Sequence, residues 1–336
     1  MRSLQIHDGG TNWNRFTFPN QTTVQAVAAL SHTEGQIGYM ATSDLKLWKT
    51  MDAGQTYTEW FDFAPKVEGY ITNTVMALVT LDPTDANTLY VGVRGKELPG
   101  GYWDPDKGAL YKSQDGGLTF GDDLLPHDTD NSWKKNAIYS LAIDPMNRLN
   151  LYIGQHGYNN IQQEVMKSQN GGATWTSLST TAWVNNGGSA RVKLAAVPNT
   201  STVWVITGEN QGHGVYYSTD GGASWIRKAQ PLGGHWSGLF GLAPSLEGNQ
   251  KVTASGSSYW EHSIAQTLDG NVNWATLTTS IGPGDLARDP LWEERLYAAN
   301  NNGDTAHGGV IVSYDNGITW TEYFLGWTNS ISVVRR

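Results

Sequence analysis

One eight-residue pattern recurs along the whole sequence, and this repeat constrains the fold more than any other feature. Its clearest copies are SQDGGLTF at 113–120, STDGGASW at 218–225 and SYDNGITW at 313–320. The remaining copies, some of them degenerate, are IHDGGTNW at 6–13, TMDAGQTY at 50–57, SQNGGATW at 168–175 and TLDGNVNW at 267–274. Successive copies end about 45–65 residues apart, a period typical of propeller blades and solenoid units.

Each copy is surrounded by short β-rich runs, three before it and one after it. Around 168–175 these runs are IYSLAI, LYIGQ, EVMKS and WTSL. Apolar and aromatic runs of this length, separated by turn residues and without a helical period, are typical of strands. Four short strands per repeat predict a β-propeller blade. We therefore expect an all-β, seven-bladed propeller that occupies residues 1–336 as a single domain.

The first copy has room for only one strand before it in the chain, so its blade must be completed from elsewhere, and no run is found for its second strand. The C-terminal run SISVVRR at 330–336 is the candidate for its first strand, and RSLQIH is the candidate for its third. The sequence thus predicts a closing blade that is shared by the N- and C-termini.

The residues of the octapeptide favour a tight turn. Short carboxylates and amides bond nearby backbone N–H groups, and glycine accepts positive φ. A feature repeated in every unit usually builds the unit. We therefore interpret Asp52, Asp115, Asp220 and Asp315 as structural residues and not as catalytic ones.

The pattern S-x-D-x-G-x-T-W resembles the Asp-box, or BNR, motif. That motif occurs in sialidases, xyloglucan-cleaving glycoside hydrolases, sortilin-type receptors and photosystem assembly factors. The resemblance implies a propeller in which each box is the turn between the third and fourth strands. It also implies that the ligand site lies on the opposite face. That face carries the loops between second and third strands and the loops from each fourth strand to the next blade.

Composition excludes several function classes. The formal net charge is −9 and no Lys/Arg-rich run is present, which argues against binding to nucleic acid or to an anionic membrane. The absence of cysteine excludes disulfides and thiolate metal sites. We expect no cofactor and no metal. The N-terminus has no apolar h-region and therefore no signal peptide, while the lysine-poor composition favours an extracellular or periplasmic location.

The loops on the predicted ligand face are rich in histidine, aromatic residues and carboxylates. Pyranose rings offer apolar C–H faces for stacking and hydroxyls for hydrogen bonding, so such residues suit sugar recognition. The predicted substrate-binding residues are Arg94, Trp103, Trp133, His156, Tyr158, His213, His235, Trp236, Tyr259, Trp260, His262 and His307. The loops differ in length and content between repeats, which favours a single asymmetric site.

Glycoside hydrolysis is the first candidate activity, and it needs two carboxylates across the scissile bond. Asp44, in the turn ATSD, resembles the place of a catalytic aspartate in the xyloglucan-cleaving family. Glu209 and Glu261 are the candidates for the second carboxylate. That family places its second acid on a second propeller, so a second propeller domain or chain is a candidate partner. The predicted substrate is a polysaccharide or oligosaccharide.

Two alternatives stay open. A polysaccharide lyase would use His156 and Tyr158 for proton abstraction, with Arg94 neutralising a uronate carboxylate. A non-catalytic propeller would hold a glycan or a protein on the same face. A sialidase is disfavoured, because it needs three arginines around the substrate carboxylate and Arg288 falls at the far end of its strand.

Overall fold

Almost all regular structure in the described chain is β-strand. A computed structural model describes residues 2–6, 13–17, 24–29, 36–67, 74–95, 97–98, 102–103, 108–125, 138–155, 165–178, 192–197, 200–207, 214–228, 238–247, 251–257, 262–267, 274–278, 283–289, 291–300 and 309–325. These residues form two compact units. Of the described residues, the first unit comprises those up to Tyr139 with Gly172–Thr174, and the second comprises Ser140–Gly171 and those from Trp175 onward.

The first unit opens with a hairpin of β1 (Arg2–Ile6) and β2 (Trp13–Thr17), which pair antiparallel with each other. Blade 1 follows as a four-stranded antiparallel sheet in chain order. Its strands are β3 (Val24–Ala29), β4 (Gly38–Thr42), β5 (Lys46–Thr50) and β6 (Thr58–Asp62). One helical turn, α1 (Ala64–Val67), leads out of it.

Blade 2 has three strands in the described residues, β7 (Thr74–Leu81), β8 (Leu89–Gly95) and β11 (Gly108–Ser113), in the order β11-β8-β7. The connection from β8 to β11 carries a small hairpin, β9 (Glu97–Leu98) with β10 (Tyr102–Trp103). The second and third strands of this blade are therefore joined by an insertion.

Blades 3 to 6 are four-stranded antiparallel sheets, each in chain order. Blade 3 contains β12 (Ile138–Ile143), β13 (Leu151–Gln155), β14 (Val165–Ser168) and β15 (Thr176–Ser177). Blade 4 contains β16 (Val192–Ala196), β17 (Val203–Thr207), β18 (Gly214–Ser218) and β19 (Ile226–Lys228). Blade 5 contains β20 (Gly238–Pro244), β21 (Val252–Ser257), β22 (His262–Thr267) and β23 (Trp274–Thr278). Blade 6 contains β24 (Pro283–Arg288), β25 (Leu296–Asn300), β26 (Gly309–Ser313) and β27 (Thr321–Leu325).

The all-β propeller prediction is confirmed, but the prediction of seven blades with a shared closing blade is wrong. The described chain builds six blade sheets. Strands β1 and β2 flank the first octapeptide and pair only with each other. The physical reason is that an octapeptide supplies one turn between two strands, whereas a blade also needs two strands before it. The run at 330–336 lies outside the described residues.

The octapeptide forms the turn between the third and fourth strands, and its hydroxyl and carboxylate side chains close it. In blade 1, Thr50 Oγ1 donates to Asp52 Oδ1 at 2.8 Å and accepts from Gly54 N at 2.7 Å. Asp52 then accepts from Thr56 N at 2.9 Å and from Thr56 Oγ1 at 2.5 Å. The same set of bonds recurs in the copies at 113–120, 218–225 and 313–320.

The fourth residue of the octapeptide also joins blade 2 to blade 1. The carbonyl oxygen of Gly116 accepts hydrogen bonds from Tyr39 Oη at 2.9 Å, Trp60 Nε1 at 2.8 Å and Lys49 Nζ at 3.3 Å. The Lys49 ammonium also lies 4.2 Å from the centroid of the Trp60 ring. Three side chains of blade 1 thereby bind the octapeptide turn of blade 2 through the carbonyl oxygen of Gly116.

Blades 3 and 4 repeat this contact. Lys167 Nζ donates to the carbonyl of Gly221 at 2.6 Å and lies 5.4 Å from the Tyr152 ring centroid. Burial raises the pKa of Tyr152 to about 12, with the nearby carboxylates as a smaller cause. The hydroxyl therefore stays neutral beside the lysine at physiological pH.

Blades 5 and 6 are joined differently, through the buried Arg288. Its Nη2 donates to Thr253 Oγ1 at 3.1 Å, and its Nε donates to the carbonyl of Pro244 at 3.0 Å. Its Nη1 donates to Asn316 Oδ1 at 3.0 Å, and Gln266 Nε2 donates to the same oxygen at 2.9 Å. Asn316 replaces the glycine at the fourth position and keeps a left-handed φ of 60°.

The fifth residue of the octapeptide is confined both by its backbone and by its neighbours, and this supports a stability prediction. Gly117 has a φ of 84°, and a Cβ there would lie 3.1 Å from Trp60 Cδ1. We expect Gly117→Ala to lower the free energy of unfolding by about 1–3 kcal/mol, because a side chain is strained at this φ. Urea denaturation followed by tryptophan fluorescence measures the loss.

Gly121→Ala is the matched control for this variant. A Cβ at Gly121 would meet only the carbonyl oxygen of Lys112, at 3.8 Å. We expect this substitution to leave stability unchanged or slightly raised, because alanine restricts the unfolded chain. Equal losses in the two variants would contradict the proposed role of the turn.

Candidate functional site

The predicted site residues divide into those that the structure describes and those that it does not. The side chains of Asp44 and Arg94 are described. Trp103 lies in β10 and His262 is the first residue of β22, and their strand backbones alone are described. The other predicted residues lie outside the described ranges: Glu209, Glu261, Trp133, His156, Tyr158, His213, His235, Trp236, Tyr259, Trp260 and His307.

Asp44 occupies a three-residue turn between β4 and β5, at the end of blade 1 opposite its octapeptide. The amide of Leu45 donates to the carbonyl of Thr42 at 3.1 Å, and the amide of Phe63 donates to the carbonyl of Leu45 at 2.9 Å. Leu45 adopts a left-handed φ of 65°, which costs a branched residue about 1–2 kcal/mol. Its side chain packs on the core that blades 1 and 2 share, and this packing offsets the strain.

The Asp44 carboxylate is held through one of its two oxygens. Thr42 Oγ1 donates to Asp44 Oδ1 at 2.6 Å. Within the described residues Asp44 Oδ2 has no hydrogen-bond donor, and Asp44 forms no ion pair with another candidate residue. The side chain is half-buried. One oxygen is therefore fixed, while no described side chain occupies the other.

The octapeptide aspartates differ from Asp44 because hydrogen bonds engage both oxygens of each carboxylate. Hydrogen bonds from Thr56, Thr119 and Ser224 occupy both oxygens of Asp52, Asp115 and Asp220. These bonds lower the pKa of each of the three carboxyls to about 2. A carboxyl that stays ionised and fully engaged is unsuited to proton transfer, so the geometry agrees with a structural role.

A fixed cation lies beside the Asp44 turn. Lys46 Nζ binds both carboxylate oxygens of Glu59 at 2.7 Å. The hydrogen bond to Glu59 is the main cause of a raised Lys46 pKa, and Asp62 and Asp44 add smaller contributions. The lysine is therefore charged and engaged by Glu59, so the Asp44 carboxylate is left without a direct cationic partner among the described side chains.

Arg94, near the end of β8, is stacked on an aromatic ring. Its guanidinium carbon lies 4.6 Å from the Tyr139 ring centroid, and its Nη1 donates to Tyr139 Oη at 3.2 Å. Stacking and hydrogen bonding to the same tyrosine fix the guanidinium plane. The arrangement gives Arg94 a structural role, and contact between Arg94 and a substrate stays a prediction.

Arg288 is excluded from carboxylate recognition at this end of the blades. It is 8% exposed, and all of its contacts are made at the octapeptide end. Burial lowers its pKa, while Glu293 partly restores it. Arg288 therefore serves as a structural cation, which agrees with the low rank of the sialidase hypothesis.

Sequence reasoning missed one class of residue at the candidate end. Second strands β4, β13 and β25 are buried along their whole length, yet each ends in a polar residue, namely Thr42, Gln155 and Asn300. These side chains are 0%, 3% and 4% exposed. A polar residue that closes an otherwise apolar strand was the signal available in the sequence. Buried polar groups require partners, so such positions indicate local networks.

The described residues hold no group of three or more His, Asp or Glu side chains that could bind a metal ion. In the same ranges, no helix has both the length and the apolar character that a membrane crossing requires.

Comparison with known proteins finds sequence relatives that are xyloglucanases, although no protein-family model matches the chain. The chain is 26% identical over 276 residues to a xyloglucanase of Hypocrea jecorina, covering 72% of this chain and 32% of that enzyme. It is 26% identical over 246 residues to a xyloglucanase of a Paenibacillus species, covering 66% and 20%. The chain therefore spans about a third or less of the length of these curated relatives.

Solved structures give the same fold. A GH74 xyloglucanase from Xanthomonas campestris superposes with a TM-score of 0.66 at 17% identity, covering 96% of this chain and 47% of that one. The Cyanidioschyzon merolae protein YCF48 gives a TM-score of 0.59 at 14% identity, covering 91% and 86%. At these identities the likeness shows the fold, which is an all-β propeller.

The low pKa values of the octapeptide carboxyls predict how stability changes with acid. Their folded pKa is about 2 and their ordinary value is 3.8, so the unfolded state binds protons first as pH falls. The stabilisation is present above pH 3.8 and is lost as pH falls towards about 2. We expect Asp52→Asn to lower the melting temperature at pH 6, with the gap to the wild type narrowing towards pH 2.

Thermal melts at pH 6, 5, 4, 3 and 2 test this expectation. Asp122→Asn is the control, since Asp122 is an exposed aspartate just outside the second octapeptide. The control should follow the wild-type curve. A constant gap between Asp52→Asn and the wild type across this range would refute the assigned cause.

Proposed function

We propose that this chain is a glycoside hydrolase propeller that acts on a polysaccharide of the xyloglucan class, with Asp44 as one of the two catalytic carboxylates. The observation that carries the proposal is the Asp44 carboxylate itself. One oxygen is fixed by a buried hydroxyl at 2.6 Å, and the other has no donor among the described residues. Glycoside hydrolysis requires carboxyls in this condition, held in place yet free to meet the glycosidic bond or the attacking water.

The sequence relatives support the substrate class. Three relatives with 26–27% identity to the chain have the names of xyloglucanases, one of them a probable oligoxyloglucan-reducing end-specific enzyme of Neosartorya fischeri. Asp44 also lies in the loop between the second and third strands, which is the end of the blade where the Asp-box resemblance implies a ligand. The residue and the relatives therefore point to the same chemistry.

The reaction needs a second carboxyl across the scissile bond, and Glu209 and Glu261 are our candidates within this chain. A second propeller domain or chain is the alternative source, because the matched part of the chain covers only 20–32% of each curated relative. One carboxyl would protonate the leaving oxygen, and the other would activate water or attack the anomeric carbon. Asp44 fits either role.

The remaining loop residues would bind the sugar chain. We assign Trp103, Trp133, Trp236, Tyr259 and Trp260 to stacking on pyranose faces. We assign Arg94, His156, Tyr158, His213, His235, His262 and His307 to hydroxyl contacts. A polysaccharide cannot cross a membrane, so this substrate would place the protein outside the cytoplasm.

Asp44→Asn tests the proposal directly. We expect this variant to lose at least about 1,000-fold in the rate of reducing-end release from xyloglucan, since the amide can neither donate nor take up a proton in the reaction. Its melting temperature should change little, because an amide oxygen can still accept the Thr42 bond. Asp52→Asn is the matched control and should keep the wild-type rate at temperatures where it is folded.

The same assay separates the alternatives. Absorbance from new unsaturated uronates on an acidic polysaccharide would identify a lyase and move the assignment to His156, Tyr158 and Arg94. Retention on immobilised xyloglucan without reducing-end release would show a glycan-binding propeller or a second carboxyl outside this chain. Either result would overturn the assignment of Glu209 or Glu261.

A further inference from the structure

We propose that Thr42 is the positioning residue of Asp44, and that its hydroxyl binds the carboxyl in both protonation states while the Trp48 indole holds the hydroxyl in place. This inference rests on the proposed function for its catalytic consequence. The hydrogen-bonded arrangement itself does not depend on that function, so the two can fail separately.

Three polar atoms surround the Thr42 hydroxyl. Asp44 Oδ1 lies at 2.6 Å, the carbonyl oxygen of Lys46 at 3.0 Å, and Trp48 Nε1 at 3.1 Å. Thr42 is 0% exposed and Trp48 is 8% exposed, so water does not compete for these contacts. The hydroxyl therefore has a complete set of protein partners.

The chemistry of each partner decides the direction of each bond. An indole N–H is only a donor, so Thr42 Oγ1 accepts from Trp48. A backbone carbonyl is only an acceptor, and so is an ionised carboxylate. The single hydroxyl hydrogen can then point either to Asp44 or to the carbonyl of Lys46.

This choice lets the network serve both states of the carboxyl. When Asp44 is ionised, Thr42 donates to it, and the 2.6 Å separation is typical of a short charge-assisted bond. When Asp44 is protonated, its own O–H can donate to Thr42 Oγ1 while the hydroxyl hydrogen turns to Lys46 O. Oγ1 accepts two bonds and donates one in that state, which is within its capacity. The oxygen positions stay the same while the protons move.

A purely structural role for the Thr42 hydroxyl explains less of the geometry. The turn is already closed by the bond from Leu45 N to Thr42 O and anchored by the bond from Phe63 N to Leu45 O. Among the described residues, the charged groups near the turn are Lys46, Glu59 and Asp62, and the first two bind each other. None of them donates to Asp44 Oδ1, so its orientation depends on Thr42.

Thr42→Val removes the hydroxyl and nearly keeps the side-chain shape, and Thr42→Ser restores the hydroxyl. On xyloglucan we expect Thr42→Val to lower kcat about tenfold or more while KM stays within about twofold, since the substrate-binding loops are unchanged. Thr42→Ser should recover most of kcat. A wild-type kcat in folded Thr42→Val would overturn the positioning role.

Thr50→Val is the matched control, because Thr50 Oγ1 makes the same bond to an aspartate two residues later, at 2.8 Å, in the octapeptide. It should lower the urea midpoint and leave kcat unchanged. If both variants lose kcat in proportion to their loss of stability, Thr42 is a structural residue only and the inference is wrong.

A double-mutant cycle tests the contact without an activity assay. Urea unfolding of Thr42→Val, Asp44→Ala and the double variant should be non-additive, with the double variant losing less than the sum of the single losses. Additive losses would overturn the inference. A non-additive cycle in a protein that releases no reducing ends would refute the proposed function alone and leave the contact established.

Discussion

The bond between a buried hydroxyl and the aspartate two residues later closes the turn between the third and fourth strands in at least four repeats. In the copy at 50–57, Thr50 and Asp52 form this bond, and the carboxylate then fixes the backbone of Thr56. Once the turn is closed, its fourth residue is held with positive φ, as at Gly116 and Gly221. The carbonyl of that residue is then available to the tyrosine, lysine or tryptophan of the blade before it. A local bond within eight residues thus supports the packing between blades.

The same motif occurs at the opposite end of blade 1 with a different outcome. Thr42 binds Asp44 as Thr50 binds Asp52, and in both pairs the aspartate follows two positions after the threonine. At the octapeptide, the backbone amide and the hydroxyl of Thr56 complete the shell of the Asp52 carboxylate. In the turn at 43–45 no such donors follow, and Leu45 takes the strained left-handed position. One side-chain contact therefore produces a locked carboxylate in one sequence context and a half-engaged carboxylate in the other.

The parts of the fold that depend on local periodicity could be predicted from the sequence. Strand runs, turn positions and the structural role of Asp52 follow from patterns of two to eight residues. The blade number was wrong because an octapeptide marks a turn and does not guarantee the two strands before it. The contacts of Gly116 with Tyr39 and Trp60 could not be predicted, because these residues are more than 50 positions apart. Asp44 was found through a family resemblance. Its partner Thr42 could not be singled out, because threonine is common in strands and Thr42 is simply the last residue of β4.

Asn316 makes side-chain contacts that a glycine at the fourth position of an octapeptide cannot make, so this copy cannot be exchanged for a copy with glycine there. Glycine would satisfy the backbone at this position, as Gly116 and Gly221 do in their copies, yet it would remove the oxygen that both Arg288 and Gln266 use. Without that amide, one of the acceptors of the buried Arg288 guanidinium would be lost. The two positions are therefore expected to change together during divergence. An octapeptide with glycine at its fourth position, placed in blade 6, would form the same turn but would lack the amide oxygen that Arg288 and Gln266 bind.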